Sequence, residues 1–451
     1  MPAKPPVPTP QQVAWQEMEF IAFTHFGVNT FTNREWGEGK EDPGIFNPTA
    51  FGARQWARAC KDAGIRMIIL TCKHHDGFCL WPSRYTEHSV KNSPWKDGRG
   101  DVVREVSDAC REAGLKFGVY LSPWDRHEPT YGDSPKYNEH FVNQLTELLT
   151  NYGEITEVWF DGACGEGPNG KKQQYDWPAF HATVRKLQPK AVIFSDAGPD
   201  VRWIGNENGY AGETCWSMMD RARVAIGKAD GKYLNRGDPA GPDWVPGECD
   251  VSIRPGWFYH ADQDAKVKPL ADLVNIYFAS VGRNGLLLLN LPPDQRGLIH
   301  ENDAARLREL RKFLDETFRT NLAQGKPAKA TGEAPGHAAA LAVDGDGATW
   351  WAAPDGTTGG TIELDLGGPA RFNVVMVEEM IALGQRIEEF AVERWDEGKW
   401  QPVCQGTTVG HKRLLRFPEV TAAKVRLVIT KSRSTPTVRE FGLFLAPPVA
   451  K

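Results

Sequence analysis

The chain has 451 residues, more than one typical domain holds, so two or three domains are expected. Its 41% hydrophobic and 25% charged content is that of a soluble globular protein, and a formal net charge of −5 gives no ground for nucleic acid or an anionic membrane as partner. No apolar run reaches the ~18 residues of a membrane-spanning helix, and the eight cysteines include no CxxC pair, so neither a zinc site nor a disulfide framework is indicated.

Residues 1–14 begin MPAKPPVPTPQQ, Pro-rich and without the apolar stretch of a signal peptide, and they read as a flexible arm. Short apolar runs then recur at 20–26, 65–71, 115–121, 155–160, 191–195 and 285–291. Helical spacing falls between several of them. The stretches 51–63 and 102–113 end at Gly64 and Gly114, residues that suit a helix C-cap, and 138–150 and 177–187 have the same period. Strand, helix, glycine, strand is the rhythm of βα units. Over residues 15–320 it predicts an α/β fold of the (β/α)8 barrel type, with two strands hidden in irregular text. The segment 211–261, rich in Gly, Pro and Trp, reads as long loops over one face. After a helix at 301–318 the text changes to alternating short strands, at 361–366, 372–377, 390–395 and 424–429, so 321–451 is expected to be an all-β sandwich.

A barrel places its chemistry at the C-terminal ends of its strands. Polar residues follow the apolar runs there: His25 after the first, His74 and His75 after the second, Tyr120 at the end of the third, Asp161 after the fourth, and Trp203 with Glu207 beyond the fifth. Asp161 follows a wholly apolar strand, where a carboxylate is expensive to hold without a purpose or a partner. The bland alternative is a helix or turn cap. Glu207 sits in a loop beside Trp203, with Gly205 and Gly209 allowing close backbone approach; a Trp-lined, dry site would raise its pKa as a general acid requires. Retaining glycosidases need two such carboxyls about 5 Å apart. Adjacent histidines on an extended segment point to opposite sides, so His74 and His75 suit hydrogen bonds to sugar hydroxyls better than one shared metal. Glu35 and Trp36 offer a carboxylate for hydroxyls and an indole for a ring's apolar face. Sixteen Trp residues suit surfaces that stack on sugars, or simply core.

At these positions the sequence resembles the α-L-fucosidases of glycoside hydrolase family 29. The matching text is THFGVNTF, the Glu35–Trp36 pair, KHHDGF, GVYLSPW, VWFDGA and NGLLLLNLPPDQRGLI, spanning about residues 15–318. RWIGNENG and ECDVSIRPGWFYH resemble the branch selective for α-1,3/1,4-linked fucose. The resemblance implies a retaining mechanism with Asp161 as nucleophile and Glu207 as acid/base, Glu248 being the reserve candidate. It maps the fucose pocket to His25, Glu35, Trp36, His74, His75 and Tyr120, with Trp203 alongside and Trp257 facing the sugar's methyl group. It implies fucosylated glycans as substrate, no catalytic cofactor, no nucleic-acid or membrane partner, and a secreted or periplasmic location. Two alternatives stay open at this point: a carbohydrate-binding protein on a degenerate barrel, and a same-fold hydrolase of a related sugar such as an α-L-galactoside.

The C-terminal text NLAQGKPAKATG, AVDGDGATWW and REFGLF resembles the discoidin, or coagulation factor type C, module. That resemblance implies a structural calcium held by Asp344, Asp346, Thr349 and Glu440. The alternative is an Asp-Gly turn without metal.

Overall fold

A computed structural model describes residues 6–228 and 230–449. Eight parallel strands close into a barrel, with each strand hydrogen-bonded to the next in chain order and the last to the first. They are β1 Phe20–Thr24, β2 Met67–Lys73, β3 Lys116–Leu121, β4 Glu157–Trp159, β5 Val192–Ser195, β6 Val201–Trp203, β7 Gly247–Ser252 and β8 Leu286–Asn290. Six of them are wholly buried apolar or mixed runs, as expected where helices cover a parallel sheet on its outer side. Helix Val102–Ala113 starts where the Asp101 side chain accepts the Arg104 amide at 2.8 Å and stops at Gly114, whose φ of 73° is left-handed. Among the described residues no helix is long and apolar enough to cross a membrane.

The two hidden strands are β6 and β7, and each is hidden for a physical reason. β6 follows β5 after five residues with no crossover helix, so it lacks the βα signature. β7 is Gly-Glu-Cys-Asp-Val-Ser, in which Glu248 and Asp250 alternate with Cys249 and Val251. It lies inside the stretch expected to be loop. That stretch also holds a ribbon of Met218–Met219 with Asp243–Trp244 and a short helix, Gly231–Arg236.

The flexible arm expected over 1–14 is corrected from Thr9 onward; residues 1–5 lie outside the described residues. Thr9 and Gln12 form a reciprocal capping box on helix Pro10–Gln16. The Gln12 amide donates to the carbonyls of Asp200 and Trp244, each at 2.8 Å. Trp15 plugs the lower end of the barrel, 2% exposed. Proline at the first helical position initiates this helix rather than disordering it.

After helix Glu301–Phe318 the chain forms an all-β domain. Its core sheet is antiparallel and built on two long strands, Gly360–Glu378 and Arg413–Ser432. Register shifts at Asp365/Ala370 and Phe372/Val374 bend the pair, so what reads in sequence as two strands at 361–366 and 372–377 is one bent strand. The domain buries its own core around Trp351, Phe372, Leu427 and Phe441. It also locks onto the barrel: Asn284 donates to Gln385 and accepts from the His411 amide, and the Cys215 amide donates to Thr408.

Candidate active site

β1 to β4 deliver His25, the His74–His75 pair, Tyr120 and Asp161 to one end of the barrel. Lys73 ends β2, and the chain then turns, the Gly77 amide donating to the His74 carbonyl at 3.0 Å. The histidines are therefore not on an extended segment, and the expectation that they diverge is corrected: their rings lie 4.1 Å apart on the same side.

Hydrogen bonds fix two tautomers. Asn290 donates its amide to the Trp257 carbonyl and to Ser252, which turns its oxygen to His25 Nδ1 at 2.8 Å, so that nitrogen carries the proton. Ser122 donates to the Trp124 carbonyl, so its oxygen accepts from His75 Nδ1 at 2.7 Å. Burial pushes His25 and His75 down to about 3; the charge of His75 adds to the effect on His25, and those of Arg126 and Lys73 add to that on His75. Burial holds His74 well below the usual range too, and its Nδ1 has no protein partner. All three rings are neutral at physiological pH, and with Nδ1 of His25 and His75 donating inward their Nε2 atoms are left to accept from a hydroxyl.

Asp161 is partly exposed. One of its oxygens accepts the Ala163 amide at 2.7 Å, and the other accepts the Tyr120 hydroxyl at 3.2 Å with His75 Nε2 at 3.8 Å. Burial raises its pKa against the pull of those two donors. Glu207 lines the same cavity of about 340 Å3, together with Trp159, Trp203, Asp196 and Asp250. Burial also raises Glu207, offset by the neighbouring Trp257 side chain and reinforced by the charge of Asp161. The turn that carries Glu207 depends on Gly205: its φ is +89°, and a Cβ there would lie 2.3 Å from the Gly231 carbonyl oxygen. The close backbone approach inferred at Gly205 is thus to the protein's own chain.

Trp203 donates its indole N–H to Asp250 at 2.9 Å. Asp250 and Asp196 are site residues that the sequence did not single out. Asp196 is raised to about 6 by burial, against a hydrogen bond from the Gly227 amide. Asp250 is held well above the usual range by burial and then by the charge of Glu207. Strict alternation in β7, acidic at 248 and 250 and small or apolar at 249 and 251, was the signal for an inward-facing acidic strand. Glu248, the reserve acid/base, is corrected on position: it is a fully buried residue of β7, bonded to the Trp159 indole at 2.8 Å, and is not among the residues lining the cavity.

Glu35 is bonded to the loop that follows β7. Its oxygens accept the amides of Trp257 and Phe258 and approach His260 Nε2 at 2.6 Å, fastening the 257–260 loop over the site. Trp257 packs against His25, ring centres 5.2 Å apart. Trp36 stands at the rim, 58% exposed, edge-on to His75 and Trp124. Most of the Trp excess is core instead, including Trp15, Trp56, Trp81 and Trp351.

The residues that the resemblance assigns to calcium are bonded within the protein as they are placed. Asp344 and Asp346 accept amides of their own turn, Thr349 donates to Asp344 at 2.7 Å, and Glu440 accepts from Asn321 at 2.9 Å. Among the described residues no group of three or more His, Cys, Asp or Glu could hold a metal. Asp344 and Asp346 make the side-chain to backbone bonds of an Asp-Gly turn.

A closed parallel barrel whose C-terminal face gathers four carboxyls, three neutral imidazoles and several indoles belongs to the class of carbohydrate-cleaving barrel enzymes. Residues 11–317 match the family model for alpha-L-fucosidase, and residues 327–441 match that of the F5/8 type C domain. The chain belongs to the alpha-L-fucosidase family, glycoside hydrolase family 29, and is an α-L-fucosidase with a C-terminal discoidin-like domain. Alpha-L-fucosidase 1 of Arabidopsis thaliana is 48% identical over 98% of this chain and 88% of its own. The crystal structure of SpGH29 superposes with a TM-score of 0.95 at 44% identity, covering 98% of this chain and 99% of that one. A Ruminococcus gnavus family 29 fucosidase in complex with fucose superposes at 0.89 with 36% identity, covering 98% and 95%. At this similarity the degenerate, binding-only reading falls away.

Proposed function

We propose that this fucosidase works by double displacement, with Asp161 as nucleophile and Glu207 as acid/base, on α-1,3/1,4-linked fucose of branched, Lewis-type glycans. The observation that carries the residue assignment is that Asp161 and Glu207 line one cavity with different hydrogen-bond partners. Asp161 accepts two hydrogen bonds that favour its ionised form against its burial, whereas at Glu207 desolvation and the charge of Asp161 favour the protonated form and outweigh the pull of Trp257. Asp196 and Asp250 are each already engaged, by the Gly227 amide and the Trp203 indole.

In the first step an Asp161 oxygen bonds to the anomeric carbon as the glycosidic C–O bond breaks, and Glu207 gives its proton to the departing oxygen. In the second, Glu207 takes a proton from water, the water oxygen bonds to the anomeric carbon, and the bond to Asp161 breaks. L-Fucose leaves with retained configuration. The neutral histidines bind hydroxyls, Tyr120 steadies the Asp161 carboxylate, and Trp257 offers the apolar wall a deoxy sugar needs.

The linkage preference rests on the loops bearing Glu207 and Trp257, which resemble those of the α-1,3/1,4-selective branch. Fucose released from α-1,2, α-1,3, α-1,4 and α-1,6 substrates tests it: the proposal expects rapid release from α-1,3 and α-1,4 linkages of branched trisaccharides. Preferential release from α-1,2 or α-1,6 linkages overturns it.

A further inference from the structure

The inner face of the barrel carries a second pair of carboxyls that takes no part in the chemistry above. Glu157 opens β4 and Glu248 lies on β7, and both are fully buried. Their surroundings are the apolar inner core of Trp15, Ile21, Phe23, Met67, Trp159 and Leu288. Neither hydrogen-bonds to a lysine or arginine among the described residues. Each instead accepts one indole N–H: Trp15 donates to Glu157 Oε2 at 2.7 Å, and Trp159 donates to Glu248 Oε1 at 2.8 Å. The other two oxygens, Glu157 Oε1 and Glu248 Oε2, are buried without any further protein partner.

We infer that Glu157 and Glu248 share one proton between those two oxygens, and that this pair is a positioning device which fixes the Trp159 indole as the floor of the fucose pocket. The two side chains lie within hydrogen-bonding reach of each other. Two ionised carboxylates cannot face each other in such a medium without a cation; one proton turns the repulsion into an O–H···O bond and satisfies both orphaned oxygens. Burial pushes Glu157 to about 7 and Glu248 well above the usual range, and the charge of Glu157 adds to the effect on Glu248. The result is one chain of donors and acceptors: Trp15 indole, Glu157, Glu248, Trp159 indole.

That chain runs from the helix plugging the bottom of the barrel to the pocket above. The Trp159 ring stacks on Phe194 at 4.1 Å with an 8° interplanar angle, and both line the cavity that holds Asp161 and Glu207. It also lies 5.2 Å from the ring of Tyr120, whose hydroxyl donates to Asp161. Releasing the indole N–H frees the ring to tilt where the sugar rests, two residues before the nucleophile.

The inference rests on the reading that this cavity takes fucose. Glu248→Leu keeps volume and removes the acceptor; Glu248→Gln keeps an oxygen for the Trp159 indole and an amide to donate to Glu157. The readout is the inhibition constant of L-fucose, beside kcat and Tm. Loss of the bond is expected to weaken L-fucose binding about tenfold in Glu248→Leu, with Glu248→Gln within about threefold of wild type. A purely structural role would lower Tm in Glu248→Leu and leave the inhibition constant of the folded enzyme where it was; that result, or equal damage in Glu248→Gln, overturns the inference. Should Glu248→Leu not fold, infrared difference spectra of wild type against Glu157→Gln/Glu248→Gln decide. A buried protonated carboxylic acid band at neutral pH, lost in the double variant, supports the shared proton, and its absence from wild type refutes it. Failure of the fucose reading itself is distinguishable, since Asp161→Asn would then retain turnover whatever Glu248 does.

Discussion

Tyr120→Phe isolates one hydrogen bond of the proposed nucleophile and leaves the ring packing intact. The hydroxyl donates to the Asp161 oxygen at 3.2 Å, a long contact for an O–H donor, and it opposes the rise in pKa that burial imposes. A hydrogen bond to a charged group is worth about 1.5–3 kcal/mol, and the length of this one places it at the lower end. About 1.4 kcal/mol of lost stabilisation of the ionised form is about one pKa unit. The sign follows directly: without the donor, Asp161 ionises at higher pH, so the acidic limb of the pH–kcat/KM profile should move up by about one unit. On the alkaline side, where Asp161 is ionised in both enzymes, the loss should be much smaller than at acidic pH. The assay is initial rates on a fluorogenic fucoside across the acidic range, with a circular dichroism spectrum of each variant. An acidic limb that stays at the wild-type position, with activity lowered equally at every pH, refutes the claim that Tyr120 acts through Asp161.

Glu207→Ala should lose most turnover on natural glycans, and on an aryl fucoside with a good leaving group azide should restore turnover, giving an α-fucosyl azide by attack on the fucosyl-enzyme; rescue in a Glu248 variant instead would move the acid/base there. Asp161→Asn should raise Tm at neutral pH by about 1–3 °C, because the folded-state pKa of Asp161 is raised. Its contribution to stability is full below its unfolded pKa and lost as pH rises, so the gain should vanish at acidic pH; a lower Tm at neutral pH contradicts the burial argument. Calcium should leave Tm unchanged, given how Asp344, Asp346, Thr349 and Glu440 are bonded; a calcium-dependent rise abolished by Asp344→Ala would restore the ion-binding turn.

Strands whose side chains are apolar on both faces, and helices closed by Gly64 and Gly114, were readable because period and punctuation are local properties. β6 and β7 were not. The link from β5 to β6 is too short for a crossover helix, and the inward face of β7 carries Glu248 and Asp250, so neither has the apolar run that announces a strand. The helix at Pro10–Gln16 was obscured by prolines whose effect reverses at the first helical turn. In the site, Asp161 was legible as a carboxylate ending an apolar strand. The bonding of Glu35 to Trp257, Phe258 and His260, more than 220 residues away, was not, because no local pattern records which distant amides a carboxylate meets. The His74–His75 pair misled for a related reason: the chain leaves extended geometry at Lys73, and only the turn that follows puts both rings in one place.

The central claim, a covalent intermediate on Asp161 formed with the help of Glu207, is tested most directly by trapping. An aryl fucoside with a good leaving group needs little protonation, so in Glu207→Ala the first step should proceed while the second, lacking its base, stalls. Rapid quenching and peptide mass spectrometry should then find one deoxyhexosyl group on the peptide containing Asp161. An adduct on Asp196 or Asp250, or steady turnover with no adduct and inverted product, would contradict the account.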